Sequence, residues 1–238
     1  MPVVPLPGMV LLPHMMAAIR VSDFRAIAAV RAAEAGQKLL LVTPGPEQDI
    51  DEDDEDFYVS AYDNEDKPVF IGHVGVVAKI EQITENEDEG LQVALRALDR
   101  MLITSVETTD GHAVAQGHIH PDPELEELTD ARMPQLMDKA LAMMEYLLEL
   151  VPGLPTGVME FIRSVDHPGH LADQTGYFPE YEFEERLQIL TELDPVQRLA
   201  ETVSMLKKHV ARMQLRADII AEVRDEIDSS QREMFLRE

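Results

Sequence analysis

"HAVAQGHIHPDPELEELTD", His112–Asp130, is where the chain changes character. Its first half, "HAVAQGHIH", reads as a strand, and its second, "PDPELEELTD", as a linker carrying helix-start signals. Upstream of it the sequence runs in short β-branched segments separated by turn residues. Downstream, apolar residues recur with helical period. The expected fold is therefore α+β, a compact barrel-like sheet followed by a helical bundle. The boundaries fall at residues 1–120 for the β-rich part, 121–194 for a helical part and 195–238 for one long helix.

Within the β-rich part, "VVPL" (Val3–Leu6) and "MVLLP" (Met9–Pro13) are apolar runs punctuated by proline and read as short strands. "SDFRAIAAVRAAEAG" is an early helix with Ser22 expected as N-cap and Gly36 just past its end. Phe24, Ile27, Ala28 and Val30 form its apolar face. "KLLLVTP" (Lys38–Pro44) is a buried strand. "VFIGHVGVVAKIEQI" (Val69–Ile83) is β-branched, and its glycines, Gly72 and Gly75, predict a bulge or sharp bend. "NEDEG" turns the chain into two further strands, Leu91–Leu98 and Arg100–Glu107. "TDG" turns it again at Gly111.

Beyond Asp130, a helix buries a broad face made by Met133, Leu136, Met137, Ala140, Leu141, Met144, Leu147, Leu148 and Val151. "VPGLPTG" ends it. Shorter helices follow near Thr156–Val165, in "DHPGHLADQTGYF" and in "EFEERLQILTEL". Asp194 then caps a helix beginning at Pro195, a favoured first position. Val196, Leu199, Val203, Leu206, Val210, Met213, Ala217 and Ile220 alternate three and four residues apart, a sustained heptad stripe. At 1.5 Å per residue such a helix reaches roughly 60 Å. Its first part is expected to pack on the preceding helices. Its last part has few candidate partners, so the natural chain is expected to continue past Glu238.

The formal charge is −26. Nucleic acids and anionic lipid are bound largely through Lys and Arg, so this balance argues against both as partners. The acids concentrate in "PEQDIDEDDEDFYVSAYDNED" (Pro46–Asp66), which contains no base and reads as a solvated loop. It lacks the central Gly of a calcium loop. No cysteine is present, which excludes disulfides and thiolate metal sites. No stretch approaches the roughly 20 apolar residues of a membrane span. The apolar start lacks the basic residues of a signal peptide. Together these features predict a cytoplasmic protein.

Catalytic and metal patterns are weak. No G-x-x-x-x-G-K-[ST] loop exists to cradle phosphates, and no G-x-S-x-G elbow. Ser204 lies one helical turn from Lys207 and Lys208, but an exposed lysine stays protonated and is no base. Two histidine pairs, His118 and His120 with Asp122, and His167 and His170 with Asp166, lack a complete ligand set. The expectation is no catalytic, cofactor or metal residue in this chain.

Several stretches together resemble the N-terminal domain of the Lon family of ATP-dependent proteases. They are "VVPLPGMVLLPHMM", "LLLVTP", "GHVGVVAKIEQI", "GLQVALRALDRMLI", "DHPGHLADQTGYF", "LDPVQRLAETVSMLKK" and "SSQREMFLRE", in family order. The resemblance implies a PUA-like barrel followed by a helical bundle. It also implies a non-catalytic role: capturing unfolded or degron-bearing client proteins and organising a homohexamer. ATP, Mg²⁺ and a Ser-Lys protease dyad would belong to other modules, reached through Gln231, Arg232, Glu233 and Phe235. A free-standing adaptor with the same fold is the alternative, and a small-molecule pocket is disfavoured by the absence of Trp. Client binding needs adaptable apolar surface or an open sheet edge, and methionine suits the first. In "LPHMMAAIRV", alternation sends Met15 and Met16 to opposite faces. His14, Met15, Met16 and Ile83 are the expected client contacts.

Overall fold

The computed structural model describes residues 1–45, 68, 72–86, 90–149 and 157–235. The acidic run 46–66 and most of "VPGLPTG" lie outside these residues. Strands β1 (Val3–Pro7), β2 (Met16–Val21), β3 (Leu39–Gly45), β4 (Val74–Asn86), β5 (Gly90–Thr109) and β6 (His112–His120) make one sheet. β1 runs parallel to β3, with Val3 opposite Leu41. The remaining pairs are antiparallel: β3 with β4, β4 with β5, and β5 with both β2 and β6. The N-terminus closes the sheet. Pro2 bridges to Val114, and Met1 exchanges backbone hydrogen bonds with Ala115 at 2.8 Å in each direction. The path β1–β3–β4–β5–β6 thus returns on itself as a barrel, and among the described residues β2 is left as an edge.

The two strands expected at Leu91–Leu98 and Arg100–Glu107 are one strand of 20 residues. Val76 pairs with Arg100 and Ala78 with Ala97, so Leu98 and Asp99 together oppose Val77 alone. That is a β-bulge on β5. Leu98 and Asp99 are both half-buried, which interrupts the alternation and in sequence looks like a break. Gly75, expected at a bulge or bend, serves a close approach: a Cβ there would lie 2.9 Å from the Val42 carbonyl oxygen and from Leu41. Asp110 and Gly111 have φ of 52° and 77°, the two left-handed residues of a tight hairpin turn.

Two N-terminal expectations need correction. Met9–Pro13 is not a strand: Gly8, at φ 63°, turns the chain out of β1. The segment inserts Val10, Leu11 and Leu12 into the core without sheet pairing. Helix α1 (Phe24–Ala35) is capped by Asp23 rather than Ser22, because the Asp23 carboxylate accepts from the Arg25 and Ala26 amides. Its buried face is Ala26, Ala29, Val30 and Ala33. Phe24 is left 68% exposed beneath the Arg25 guanidinium, 4.9 Å from the ring centre.

Beyond the sheet come α2 (Met133–Glu149), α3 (Val158–Arg163), α4 (Pro168–Thr175), α5 (Phe183–Thr191) and α6 (Pro195–Phe235). Asp194 caps α6 as expected, accepting from the Val196 and Gln197 amides at 2.9 and 2.8 Å. Val196, Leu199, Val203 and Leu206 are buried, Val210 and Met213 partly so. Further along, Leu215, Ile219, Ile220 and Val223 are exposed. The stripe therefore belongs to the domain core only through its first half. Apolar contacts run without interruption from Val3 in β1 to Leu206 in α6.

Four charged side chains tie sheet to helices. Arg100 on β5 grips Asp173 on α4 with both ends of its guanidinium, at 2.6 and 3.0 Å. It also donates to the Leu190 and Ile189 carbonyls that end α5. Arg198 on α6 does the same to Asp122, just after β6, with two bonds of 2.9 Å, and reaches Asp173 at 3.4 Å. Arg100, Arg198 and Asp173 are fully or almost fully buried. Burial works against the Asp122 charge, but Arg198 outweighs it, so this carboxyl lies below the usual range.

Candidate functional site

At the junction of sheet and helices lies an apolar groove of about 480 Å³. Its wall on the sheet side is His14 and Met16, where the chain enters β2. Met144 and Leu148 come from α2, and Phe161 and Ile162 from α3. Tyr177 and Phe178 follow α4. Met144, Ile162 and Phe178 are buried and form the floor, whereas Met16 (59%), Phe161 (56%) and Tyr177 (42%) are exposed at the rim. Three large apolar side chains of this exposure around one concavity are more than the scattered exposed residues of an ordinary surface.

Hydrogen bonds fix the sheet end of the groove. The Met16 amide donates to the Tyr177 hydroxyl at 3.1 Å, and that hydroxyl donates to the His14 carbonyl at 3.3 Å. Burial raises the Tyr177 pKa, so the phenol stays neutral and able to donate. His14 has φ 64°, a left-handed backbone that reverses the chain before β2. Its ring stands between the groove and a second, polar cavity of about 230 Å³ lined also by His120, Asp122, His167 and His170. The His14 and His170 ring centres are 3.8 Å apart. Burial, then the neighbouring His14 and His167 rings, push His170 down to about 4. His14 is lowered too, chiefly by burial.

The histidine pairs of the sequence are placed apart in role. His167 Nδ1 accepts from the Gly169 amide at 3.1 Å, and its Nε2 lies 2.9 Å from the Pro123 carbonyl, so both ring nitrogens are engaged. His118 is exposed on β6. Among the described residues no three His, Asp or Glu side chains are arranged to hold a metal ion. Ser204 donates to the Ala200 carbonyl within α6 at 3.2 Å, and Lys207 and Lys208 are exposed.

Of the expected client contacts, His14 and Met16 line the groove. Met15 turns inward: it is part-buried against the core, and its sulfur lies 3.3 Å from the Leu12 amide. Ile83 sits on β4 opposite Val93, part-buried, and is not a groove residue. The sequence reading passed over Phe161 and Tyr177. Phe161 had a signal, since "VMEFIR" is too apolar for a short helix with one buried face. Tyr177, in "TGYF", had none beyond being aromatic next to a turn. Gln231, Arg232, Glu233 and Phe235 fall within the last turns of α6, and their side chains lie outside the described residues.

A sequence model of the family described as the ATP-dependent protease La (LON) substrate-binding domain matches residues 1–208. The chain belongs to the Lon substrate-binding domain family. All of this Lon domain aligns with a Lon protease of Chloroflexus aurantiacus at 31% identity, and with Lon protease 2 of Thermus thermophilus at 26%. It spans 27% and 28% of those relatives' lengths. The N-terminal domain of a Mycobacterium avium complex Lon protease shares the fold, with a TM-score of 0.63 at 24% identity. That match covers 87% of this Lon domain and 98% of the mycobacterial chain. A Lon N-terminal domain protein from Xanthomonas campestris superposes with a TM-score of 0.55 at 20% identity. No helix among the described residues is long and apolar enough to cross a membrane.

Proposed function

We propose that the groove captures exposed apolar segments of client proteins for an ATP-dependent Lon-type protease. One observation carries the reading: in a substrate-binding domain, Met16, Phe161 and Tyr177 stand exposed around an apolar concavity that a folded monomer gains nothing by leaving open. The rim is soft where Met16 lies and rigid where the rings lie, which suits segments of varied shape. Because the formal charge is −26, clients poor in acidic residues are favoured.

In this reading the residues 1–120 and 121–194 together hold the client, and 195–238 relay its position. Unfolding and peptide cleavage belong to other parts of a longer cytoplasmic protein, which supply ATP, Mg²⁺ and a Ser-Lys dyad. Assembly into a homohexamer and a route through Gln231, Arg232, Glu233 and Phe235 to the ATPase module complete the proposal. It extends to misfolded and degron-bearing clients alike.

The test is binding of a permanently unfolded, carboxymethylated protein, read by fluorescence anisotropy. Replacing both Met16 and Phe161 by Ser removes two exposed apolar groups. It is expected to weaken binding about tenfold or more, at the usual value of apolar area. The melting temperature should hold, since both side chains are more than half exposed. Undiminished affinity would remove the groove from consideration.

A further inference from the structure

We propose that the outer edge of β2 binds the backbone of an extended client segment as an added strand, which continues at its Met16 end into the apolar groove. The inference rests on the groove reading above and adds how the client's main chain is held. Among the described residues, β2 pairs with β5 on one side and with no other strand. The Ala97 amide donates to the Met15 carbonyl at 2.8 Å. Residues 15, 17, 19 and 21 therefore direct their peptide groups to β5, and the alternate residues Met16 and Ala18 direct theirs outward. The Met16 amide, donating to Tyr177 on that outer side, agrees.

Folded proteins usually obstruct such an edge with proline, a bulge or charge. The sequence "MAAIRV" contains no proline, and β2 runs opposite β5 without a register shift. Its two alanines leave no bulk in the way of an incoming strand, and Ala18 is exposed. Arg20, its one charged residue, lies toward the end away from the groove. The occupant follows from continuity. Met16 and Tyr177 belong both to the edge and to the groove, so a segment pairing at Ala18 runs directly past them into the apolar concavity. Backbone pairing is indifferent to side-chain identity, and the groove asks only for apolar side chains. An unfolded polypeptide meets both demands. The net charge of −26 favours one without acidic residues.

The experiment uses a fluorescent peptide of Phe, Leu and Lys, N-methylated at one amide at a time. Strand addition predicts about tenfold weaker binding for methylation at alternate amides, and little change at those between. Ala18→Pro is expected to reproduce that loss with the melting temperature retained, because the outward amide makes no bond to β5. Peptide methylation tests the same idea should the proline variant misfold. If every methylated peptide binds equally while Phe161→Ser weakens all of them, the edge inference is overturned and the groove reading stands. Binding that ignores Ala18→Pro, N-methylation and the groove variants alike overturns both. Should Ala18→Pro split a dimer in sedimentation and leave peptide binding intact, a second copy occupies the edge and the inference falls.

Discussion

Asp173→Asn is the most demanding test of how the sheet and the helices are held together. Asp173 is wholly buried, bonded to Arg100 at 2.6 and 3.0 Å and within 3.4 Å of Arg198. Neutralising it leaves Arg100 without a carboxylate in the interior, and sets two guanidinium groups against Asp122 alone. Breaking a buried pair in this way costs about 3–5 kcal/mol. Since domains of this class are stable by about 5–15 kcal/mol, that is a large share. For a domain of this length, about 2–4 °C per kcal/mol translates the loss into a fall of roughly 6–20 °C in melting temperature. Urea unfolding followed by circular dichroism measures it. The double variant Arg100→Met, Asp173→Leu removes both charges, leaves Arg198 with Asp122, and should recover most of the loss. A loss below about 1 kcal/mol for Asp173→Asn, the level of a solvent-exposed pair, would refute the reasoning.

Gly169→Ala places a methyl group against the Asp122 carboxylate and 3.0 Å from Arg198 Nη1, so it should disrupt the same cluster. A loss of about 2–4 kcal/mol is expected from overpacking and a displaced buried pair, checked by the same unfolding assay. Acidification should destabilise the domain through His14 and His170. An unfolded histidine protonates near 6.5, whereas folded His170 stays neutral down to about 4. The unfolded state then binds more protons across that window, so stability is full above it and declines as pH falls through it. His170→Asn should flatten the urea midpoint between those pH values relative to the parent, and an identical pH profile would count against the assignment. Ending the chain after Asp218 removes Ile219, Ile220 and Val223, all exposed on α6. The melting temperature should stay within about 2 °C, as for surface changes that touch no packed group.

Much of this architecture was legible because local signals and tertiary packing agree. The Pro195 helix, its Asp194 cap and its buried seam through Leu206 follow from spacing alone. So does the change of class after His120. The sequence misleads where pairing rather than pattern decides. Leu98 and Asp99 interrupt the alternation, yet β5 continues because β4 tolerates two residues against one. Phe24 looks like core, but α1 packs through Ala26, Ala29, Val30 and Ala33 and leaves it to solvent. The groove was half visible. Alternation sets Met15 and Met16 on opposite faces, and the structure turns Met16 outward and Met15 in. Tyr177 and Phe161 come from elements more than 140 residues away along the chain, brought to the mouth of β2 by the shared apolar core, the Arg100–Asp173 pair and the Tyr177 bonds to Met16 and His14. Ile83 shows the converse: it shares the sheet with Met16 but lies on another strand, opposite Val93.

Arg198 sits one turn into a helix that runs unbroken to Phe235. At 1.5 Å per residue, the far end is about 55 Å from that anchor. A rotation of about 5° at the base, no more than a small slip of two side chains, sweeps the tip through about 5 Å by the geometry of a straight rod of that length. The cluster of Arg100, Asp173, Arg198 and Asp122 at its base thus sets the aim of the helix, and a small slip there becomes a displacement of several ångströms at the far end.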